Sequence, residues 1–561
     1  MRQLFAKKQL KALLEEMAGD NRLKRVLGLT SLTALGIGAV IGAGIFVATG
    51  SAAKEVAGPA LMVSYAVAGM TCIFAALCYA EFASMAPVAG SAYTYAYTTM
   101  GELFAWIIGW DLILEYAVGA ATVANGWSGY FQSVLLKVGL VVPFLFSGAP
   151  YKYDQGHFLP NMIGKYEDAE VTQKAIKGED GKPETAGVFW VRTKDQSVVG
   201  KVGDAKVESQ IGGRVTAICN LPAIIIAMII TAVLVKGIQE SAGFNALMVF
   251  IKVSAVVFVI LVGAFYIKPE NWTKDFAPFG WTGLSLFGIP LHGMVNAGKE
   301  PVGMLAGAAI IFFAYIGFDS VSTHSEEAKN PQRDVPLAIM ISLLICTVLY
   351  IAVVAVLTGM VRYDLLSKDA GVSDAFKQAG LPWAEIIIAT AGVAGITSVL
   401  LVMMLSAPRV FLAMARDGLV PEKFFADVHP RFQTPWKSTI LIGIFVAVMA
   451  GLLPIDALLH LANIGTLFAF VIVCGAVLIM RKINPEAHRP FRCPLVPVVP
   501  ILGIAACLVL MLSLPAANWL RLIVWLGLGL VIYFCYGKHH SRLGIALRAE
   551  EAKGLSPAGR V

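Results

Sequence analysis

A single lysine, Lys252, lies within the apolar run of residues 244–267. Leaving its ammonium group in hydrocarbon costs about 3 kcal/mol or more, so such a residue usually faces the interior of a helix bundle and has a function. Burial also favours the neutral form of an amine. We therefore predict that Lys252 takes up and releases a proton. The alternative is that its long side chain extends to the nearby cytoplasmic membrane surface.

Residues 36–46, with the sequence GIGAVIGAGIF, form a glycine-rich run inside another apolar segment. Each glycine lowers helix propensity by about 1 kcal/mol relative to alanine. The run therefore predicts a helix that is interrupted at membrane depth and surrounded by protein or water. There its free N–H and C=O groups would bind a ligand. The alternative is close helix packing through small residues four positions apart.

A second interruption is predicted in residues 312–320, FFAYIGFDS, where Asp319 lies at membrane depth. The two interrupted spans are the first and the sixth along the chain. Interrupted helices at corresponding positions of two five-helix halves indicate an inverted repeat. No residue-level identity between the halves is evident in the sequence alone.

Four further side chains are candidates for the same site. Glu115, in the third span, would serve proton or cation handling or a helix contact, and both alternatives stay open. Thr397 and Ser398 could accept a hydrogen bond from Lys252 if the fifth and eighth spans approach the first interruption. Met403 could form a pocket wall, because flexible methionine side chains fill irregular gaps.

The elements that must position these residues are membrane helices. A chain of 561 residues with 57% hydrophobic and 14% charged residues is a polytopic membrane protein. Apolar spans of about 20 residues are long enough to cross a bilayer. Twelve are predicted, at 30–53, 59–84, 102–131, 216–235, 244–267, 302–322, 334–360, 383–414, 438–453, 456–480, 496–514 and 518–537.

The distribution of basic residues predicts the orientation. With both termini cytoplasmic, the inner segments carry 24 Lys and Arg residues and the short outer loops carry 8. This asymmetry is the positive-inside pattern of a cell (inner) membrane protein. The net charge of +7 therefore reflects orientation and not nucleic-acid binding. No nucleotide-binding, zinc-protease or metal-spaced Cys/His motif is present, so we expect neither an enzyme nor a metal or other cofactor.

The spans divide the chain into five predicted parts. Residues 150–213 form a strongly polar insertion after the third span, either a small β-hairpin cap or a solvated loop, with a possible partner on the outer face. The parts are a cytoplasmic amphipathic segment (1–28), a first repeat with the insertion (29–267), a second repeat (268–480), two further helices (481–540) and a cytoplasmic tail (541–561).

Eight short motifs together resemble the amino acid, polyamine and organocation superfamily of transporters, and most closely the bacterial members of its cationic amino acid transporter family. The resemblance covers residues 22–540. The motifs are RVLGL (25–29), GIGAVIGAGIF (36–46), GPA (58–60), YAE (79–81), GSAY (90–93), GWDLILEY (109–116), FAYIGFD (313–319) and MARDG (414–418).

The resemblance implies an all-α, leucine-transporter type of fold and proton-coupled, sodium-independent amino acid uptake. It also implies that Lys252 occupies the place of a sodium ion in related transporters. The backbone around four residues would take the substrate carboxylate: Ile41, Gly42, Ala43 and Gly44. Carbonyls near three others would take the α-ammonium group, namely Phe313, Ala314 and Ile316, with Phe313 as an aromatic gate.

Three questions stay open at this stage. Met403 matches the family position that is related to specificity, and it suits a neutral side chain better than a cationic one. An exchanger of amino acids or polyamines is the first alternative to uptake with protons. A sensor or adhesion protein that acts through residues 150–213 is the second.

Overall fold

A computed structural model describes the chain except for residues 1, 10–24, 43, 89, 138, 155–156, 166–169, 173–175, 178–182, 185–187, 193–196, 202–212, 287–288, 297–300, 367–370 and 553–561. The predicted amphipathic segment at the N-terminus therefore lies largely outside the described residues, as does Ala43.

The described part of the chain is mostly helical. Its longer helices are α1 (Leu29–Val40), α2 (Leu61–Met85), α3 (Ala92–Thr99), α4 (Glu102–Lys137), α5 (Leu221–Lys236), α6 (Ile238–Ala264), α7 (Met304–Ile311), α8 (Pro331–Met360), α9 (Gly371–Gln378), α10 (Pro382–Arg416), α11 (Trp436–Leu452), α12 (Ile455–Ile483), α13 (Val498–Met511), α14 (Ala516–Ile532) and α15 (Arg542–Ala552).

Short helical segments connect or extend these helices. Those with 3-10 geometry are Arg2–Phe5, Gly58–Ala60, Phe144–Phe146, Phe312–Tyr315, Ser325–Glu327 and Tyr363–Leu365. Those with π geometry are Gly44–Ala48, Ala53–Ala57 and Tyr533–Gly537. The short α-helices are Thr49–Ala52, Glu270–Thr273, Ser320–Thr323, Glu422–Phe425 and Lys538–His540.

Within the described residues, nine helical stretches are long and apolar enough to cross a membrane. They begin at Leu29, Thr49, Glu102, Asn245, Met304, Pro331, Pro382, Asn463 and Ala516. The helices α5, α11 and α13 are apolar but shorter, and they coincide with three more of the predicted spans. The protein is thus a multi-pass membrane protein, and the count of twelve spans stays a prediction.

The helices share one core that is centred on α4, α10 and α12. The α10 helix packs along α4 and α6, while α8 packs along α1 and α2. Side chains of α14 are mostly exposed, whereas those of α4 are mostly buried. Since exposed leucine, isoleucine and valine side chains on an outer helix face suit lipid, this division separates the protein interior from the bilayer surface.

The polar insertion contains more β structure than one hairpin. Its strands are β1 (Tyr151–Asp154), β2 (His157–Pro160), β3 (Met162–Lys165), β4 (Glu170–Thr172), β5 (Ile176–Lys177), β6 (Pro183–Glu184), β7 (Val188–Arg192), β8 (Ser197–Lys201) and β9 (Gly213–Thr216). The antiparallel pairs are β1–β2, β3–β9, β5–β6, β4–β7 and β7–β8. Trp190 and Val199 are register partners in the β7–β8 pair.

A second β region follows α6. It comprises β10 (Leu284–Leu286), β11 (Ile289–His292), β12 (Met294–Val295) and β13 (Pro301–Val302). The strands pair as β10–β11 and β12–β13, both antiparallel. The Ser285 amide donates to the Leu512 carbonyl at 2.7 Å, which joins this region to the end of α13.

The two terminal regions meet on one face of the bundle. The Gln3 side-chain amide donates to the Lys538 carbonyl at 2.8 Å and to the buried Glu102 carboxylate at 2.9 Å. The Arg548 guanidinium donates to the Gln3 side-chain oxygen at 3.1 Å. The two ends of the described chain are therefore adjacent.

Candidate substrate and proton site

The first interruption follows α1. At Ile41 the backbone is extended, with φ −73° and ψ 103°. Helical bonding resumes when the amides of Ile45 and Phe46 donate to the Gly42 carbonyl at 3.2 and 3.1 Å. Because the α-helical ladder stops before Gly42, carbonyls in the last turn of α1 and amides at the start of the next segment lose their helical partners.

Lys252 fills the carbonyl end of this interruption. It lies on α6, is fully buried, and its Nζ donates to the carbonyls of Gly38 at 2.8 Å and Ile41 at 2.7 Å. The C-terminal end of a helix carries partial negative charge, which favours a cation there. The lysine points into the bundle, so the alternative in which it extends to the cytoplasmic surface is wrong.

Only one of the two predicted hydroxyls on α10 contacts this lysine. The Ser398 hydroxyl accepts from Lys252 Nζ at 2.7 Å. Thr397 accepts instead from the Trp127 indole at 2.8 Å and donates to the Val393 carbonyl. Consecutive helical residues point about 100° apart, so both hydroxyls cannot face one amine. The prediction for Thr397 as a partner of Lys252 is therefore corrected.

The second interruption follows α7. The chain changes to a 3-10 turn at Phe312–Tyr315 and is extended at Ile316, with φ −56° and ψ 131°. Gly317 then adopts φ +116°, a conformation that favours glycine. The Ile316 amide donates to the Phe313 carbonyl at 3.2 Å. The chain thus departs from α-helical geometry where the predicted substrate carbonyls lie.

The two interruptions touch each other directly. A Cβ placed on Gly44 would lie 2.3 Å from the Ala314 Cα, and one on Gly317 would lie 2.8 Å from the Ala39 Cβ. Such distances are far below van der Waals contact. The backbones can therefore approach this closely only because glycine stands at these positions.

Tyr350, on α8, joins the two interruptions and was not singled out in the sequence. Its hydroxyl contacts the Val40 carbonyl at 2.6 Å and the Ala314 carbonyl at 3.0 Å. A hydroxyl has one hydrogen to donate, so the two carbonyls share it. A tyrosine within an apolar helix gives no sequence signal of such a contact, because aromatic residues commonly fill helix cores.

The wall beside the first interruption comes from α10 and α4. A Cβ on Gly42 would lie 2.3 Å from a methyl carbon of Val399, and one on Gly119 would lie 2.9 Å from the Met403 sulfur. Val399 and Met403 are four residues apart and so share one face of α10. Met403 itself is buried between helices. An apolar thioether, and not a charge, therefore occupies this part of the wall.

Glu115 belongs to a different group of side chains from Lys252. It is buried on α4, and the neighbouring carboxylates that act on it electrostatically are Asp319 and Asp111. The adjacent Tyr116 donates its hydroxyl to Asp319, whose other oxygen accepts from the Gly317 amide at 3.2 Å. Glu115 is thus associated with the second interruption.

Charged pairs lie between the two interruptions and the terminal regions. Glu327 and Arg409 form a buried ion pair at 2.7 Å. Next to them, burial and the Arg409 guanidinium lower the pKa of His324 well below its usual value. Its Nδ1 lies 2.7 Å from the Ser320 carbonyl. Lys8 and Asp417 add a further pair beyond this layer.

Glu81 has the structural role that its place near a helix end indicates. Its carboxylate bonds Arg481 at 2.7 Å and the Cys493 amide at 2.8 Å, which fixes α2 to the segment after α12. Among the described residues, no cluster of three or more His, Cys, Asp or Glu side chains is placed to hold a metal ion.

Membrane-length helices with two facing interruptions, and a buried amine bonded to the freed carbonyls, are typical of transporters. The family profile described as amino acid permease matches residues 27–532, and the chain belongs to this family. The superfamily inferred from the sequence motifs is thereby confirmed. The relatives are transporters and not enzymes.

Two relatives from Bacillus subtilis match nearly the whole chain. A branched-chain amino acid permease, BcaP, is 42% identical over 541 residues, covering 96% of this chain and 99% of the relative. A methylthioribose transporter is 40% identical over 543 residues, covering 97% and 100%. The vacuolar cationic amino acid transporter 4 of Arabidopsis thaliana is 35% identical over 487 residues, covering 87% and 68%.

Proposed function

We propose that this protein takes up amino acids across the cell membrane together with protons, without sodium, by alternating access. One observation carries the proton coupling. Lys252 Nζ has three acceptors, namely two carbonyls of the first interruption and the Ser398 hydroxyl. An ammonium group has three N–H donors and a neutral amine has two. Loss of the proton would therefore remove at least one of these three hydrogen bonds.

Substrate binding is proposed for the polar backbone of the two interruptions. Amides around Ile41, Gly42, Ala43 and Gly44 would take the carboxylate, because helix N-termini favour anions. The α-ammonium group would bind carbonyls of Phe313, Ala314 and Ile316. Two of these already accept one hydrogen bond, and a carbonyl oxygen has a second lone pair. The Phe313 ring would act as the gate above the ligand.

The proposed architecture has twelve membrane spans, arranged as two inverted five-helix halves and two further helices. Both α1 and α7 end at an interruption of the helical backbone, and this similarity supports the arrangement. The excess of basic residues in the predicted inner segments supports a cytoplasmic position for both termini. Glu115 is proposed as a second proton site that acts on the other interruption.

A neutral substrate side chain is proposed over a cationic one. The buried Met403 thioether offers no negative charge to a guanidinium or ammonium group. A relative that transports branched-chain amino acids, by its name, shares 42% identity with this chain. Because another relative is named for methylthioribose, a substrate panel must include that sugar.

The test is proton-driven uptake in liposomes with Lys252→Ala. We expect the variant to bind amino acid but to lose at least nine-tenths of the accumulation driven by an inward proton gradient. Lys268→Ala, a change of a lysine in the loop after α6, is the matched control and should accumulate normally. Undiminished accumulation by Lys252→Ala would refute the coupling role. Uptake that needs only amino acid on the far side, with no pH gradient, would indicate an exchanger.

A further inference from the structure

Asn463, on α12, contacts the second interruption in a way that the proposed mechanism does not use. Its side-chain amide donates to the Ala309 carbonyl at 3.2 Å and the Ile310 carbonyl at 3.0 Å. The residue is 3% exposed. Both carbonyls lie in the last turn of α7, where the change to 3-10 bonding at Phe312 disturbs the helical ladder.

Asn245, on α6, makes the corresponding contact at the first interruption. Its side-chain amide donates to the Ala34 carbonyl at 3.3 Å, and the residue is 1% exposed. A Cβ on Gly38 would lie 2.8 Å from the Asn245 side-chain oxygen, so this glycine leaves room for the amide. In both asparagines the side-chain oxygen is buried and has no hydrogen-bond partner in the described structure.

The two contacts occupy equivalent places in the two halves of the chain. Ala34 is the sixth residue of α1, and Ala309 is the sixth residue of α7. A shift of 275 positions, which superposes these two alanines, also aligns Ile41 with Ile316, the extended residue of each interruption. The same shift aligns two further identical pairs, Ala39 with Ala314 and Gly42 with Gly317.

We propose that Asn463 is a positioning residue for substrate binding and that Asn245 is its repeat-related counterpart. Each amide bonds backbone carbonyls of the helix that precedes an interruption, and so holds that helix in the position from which the interrupted segment continues. This inference rests on the proposed transport function. It deepens that function, because it assigns the second binding segment a fixed support on the tenth predicted span.

The halves differ in the residue one heptad beyond each asparagine. Lys252 lies seven residues after Asn245, and Phe470 lies seven residues after Asn463. Phe470 packs on the rings of Phe312 at 5.7 Å and Phe318 at 5.1 Å between centroids. The first interruption therefore has a titratable support and the second has an apolar one. Substitution at Asn463 should accordingly leave proton coupling unchanged.

The experiment measures uptake kinetics of Asn463→Leu, which keeps the side-chain volume but removes the amide. We expect KM for the amino acid to rise about tenfold, as for a lost pair of buried hydrogen bonds, with the maximal rate within about twofold. The dependence of uptake on pH should match the unchanged protein. Asn484→Ala, at the inner end of the same helix, is the control and should keep its KM.

Asn245→Leu should raise KM less than Asn463→Leu, because Lys252 also supports the first interruption. If Asn463→Leu does not fold, the smaller change Asn463→Ser replaces it, and KM is measured in the same way. A KM within twofold of the unchanged protein in the folded variant would overturn the inference. Failure of the unchanged protein to take up any amino acid would instead overturn the proposed function, so the two failures are distinguishable.

Discussion

Gly44 shows how one missing side chain permits the binding geometry. Its Cα faces the backbone of Ala314 so closely that even a methyl group would overlap the Ala314 Cα at 2.3 Å. Backbone cannot rotate away as a flexible side chain can. A Cβ at this position would therefore fit only if the two interrupted segments moved apart.

We predict that Gly44→Ala abolishes the thermal stabilisation of the protein by its amino acid substrate. The methyl group would displace the second interruption from the first, and the proposed site is formed by both. Gly129→Ala on α4 is a matched control, because a Cβ there meets no atom within 4 Å. Ligand-dependent melting in detergent measures both. A normal substrate-induced shift in Gly44→Ala would contradict the placement of the site.

Sequence reasoning at this scale succeeds where a residue conflicts with its surroundings. Lys252 was identifiable because a charge is costly in an apolar span, and its predicted direction into the bundle agrees with the structure. Ser398 and Thr397 could not be separated, because choosing between adjacent residues requires the rotation of α10. Tyr350 carried no signal, since its hydroxyl partners are backbone carbonyls from distant segments.

At the scale of elements, α8 connects the two interrupted helices through a single hydroxyl. Tyr350 lies among other buried rings, with its centroid 5.4 Å from that of Tyr65 and 5.3 Å from that of Tyr315. These edge contacts hold the ring in place. A movement of α8 would therefore also move the hydroxyl that contacts both carbonyl groups.

Tyr350→Phe should lower stability and weaken substrate binding together. The ring and its packing are kept, but two buried carbonyls lose their shared donor, which costs about 1–3 kcal/mol. Thermal unfolding with and without ligand measures the two effects. Tyr363→Phe, in the loop after α8, removes a hydroxyl far from the interruptions and serves as the control. Equal melting temperatures for the two variants would show that the shared hydrogen bond contributes nothing.

A buried ion pair joins α10 to the segment that follows the second interruption. Arg409 and Glu327 are each 2% exposed at the side chain. Glu327→Gln should lower the stability of the protein by about 3–5 kcal/mol, because it leaves the arginine charge buried without its partner. Adding Arg409→Met should restore part of this loss. Thermal unfolding measures the stability of both single variants and of the double variant. If the double variant loses as much stability as the two single variants together, direct pairing is contradicted.

The elements themselves were largely predictable, and their interruptions were predictable from composition. Poor helix propensity in residues 36–46 and 312–320 indicated the two breaks, and both are present. The proposed repeat is weak at the level of residues, because only four of nine aligned positions from Ala34 to Gly42 are identical. The carbonyls that Asn245 and Asn463 contact, at equivalent positions of α1 and α7, support the proposal.

At the scale of the whole molecule, backbone hydrogen bonds connect the beginning and the end of the polar insertion. The Asn161 amide donates to the Pro150 carbonyl, and the Ala217 amide donates to the Asn161 carbonyl. The two ends of the insertion are therefore close together. Asn220, three residues after Ala217, forms hydrogen bonds with Asn125 and Ser128 of α4 at 2.9 and 2.6 Å.

Replacing residues 151–216 with a short Gly-Ser linker should leave transport within about twofold of normal. Ends that lie close together can be joined at little entropic cost, and the contacts of Asn220 stay in place. Uptake in liposomes measures the effect, with the uncut protein as reference. Loss of uptake in a folded variant would show that the insertion takes part in transport. Loss of an outer-face interaction with normal uptake would support a separate partner.

The sequence indicated the class of protein and the helix positions but underestimated the insertion. Short strands there, such as β5 and β6, have two residues each, so alternation of apolar and polar residues cannot define them. The membrane helices were predictable because runs of about 20 consecutive apolar residues are typical of bilayer-spanning helices and rare in soluble proteins.

Because the two terminal regions lie together, energy transfer between dyes attached to them would report on the transport cycle. Phe5 is 57% exposed and Ile545 is 51% exposed, and Gln3 and Arg548 nearby are hydrogen bonded. A donor and an acceptor dye attached at these two positions would begin within range for efficient energy transfer. Any step of the cycle that separates the two regions would then be seen as a fall in transfer efficiency in single molecules.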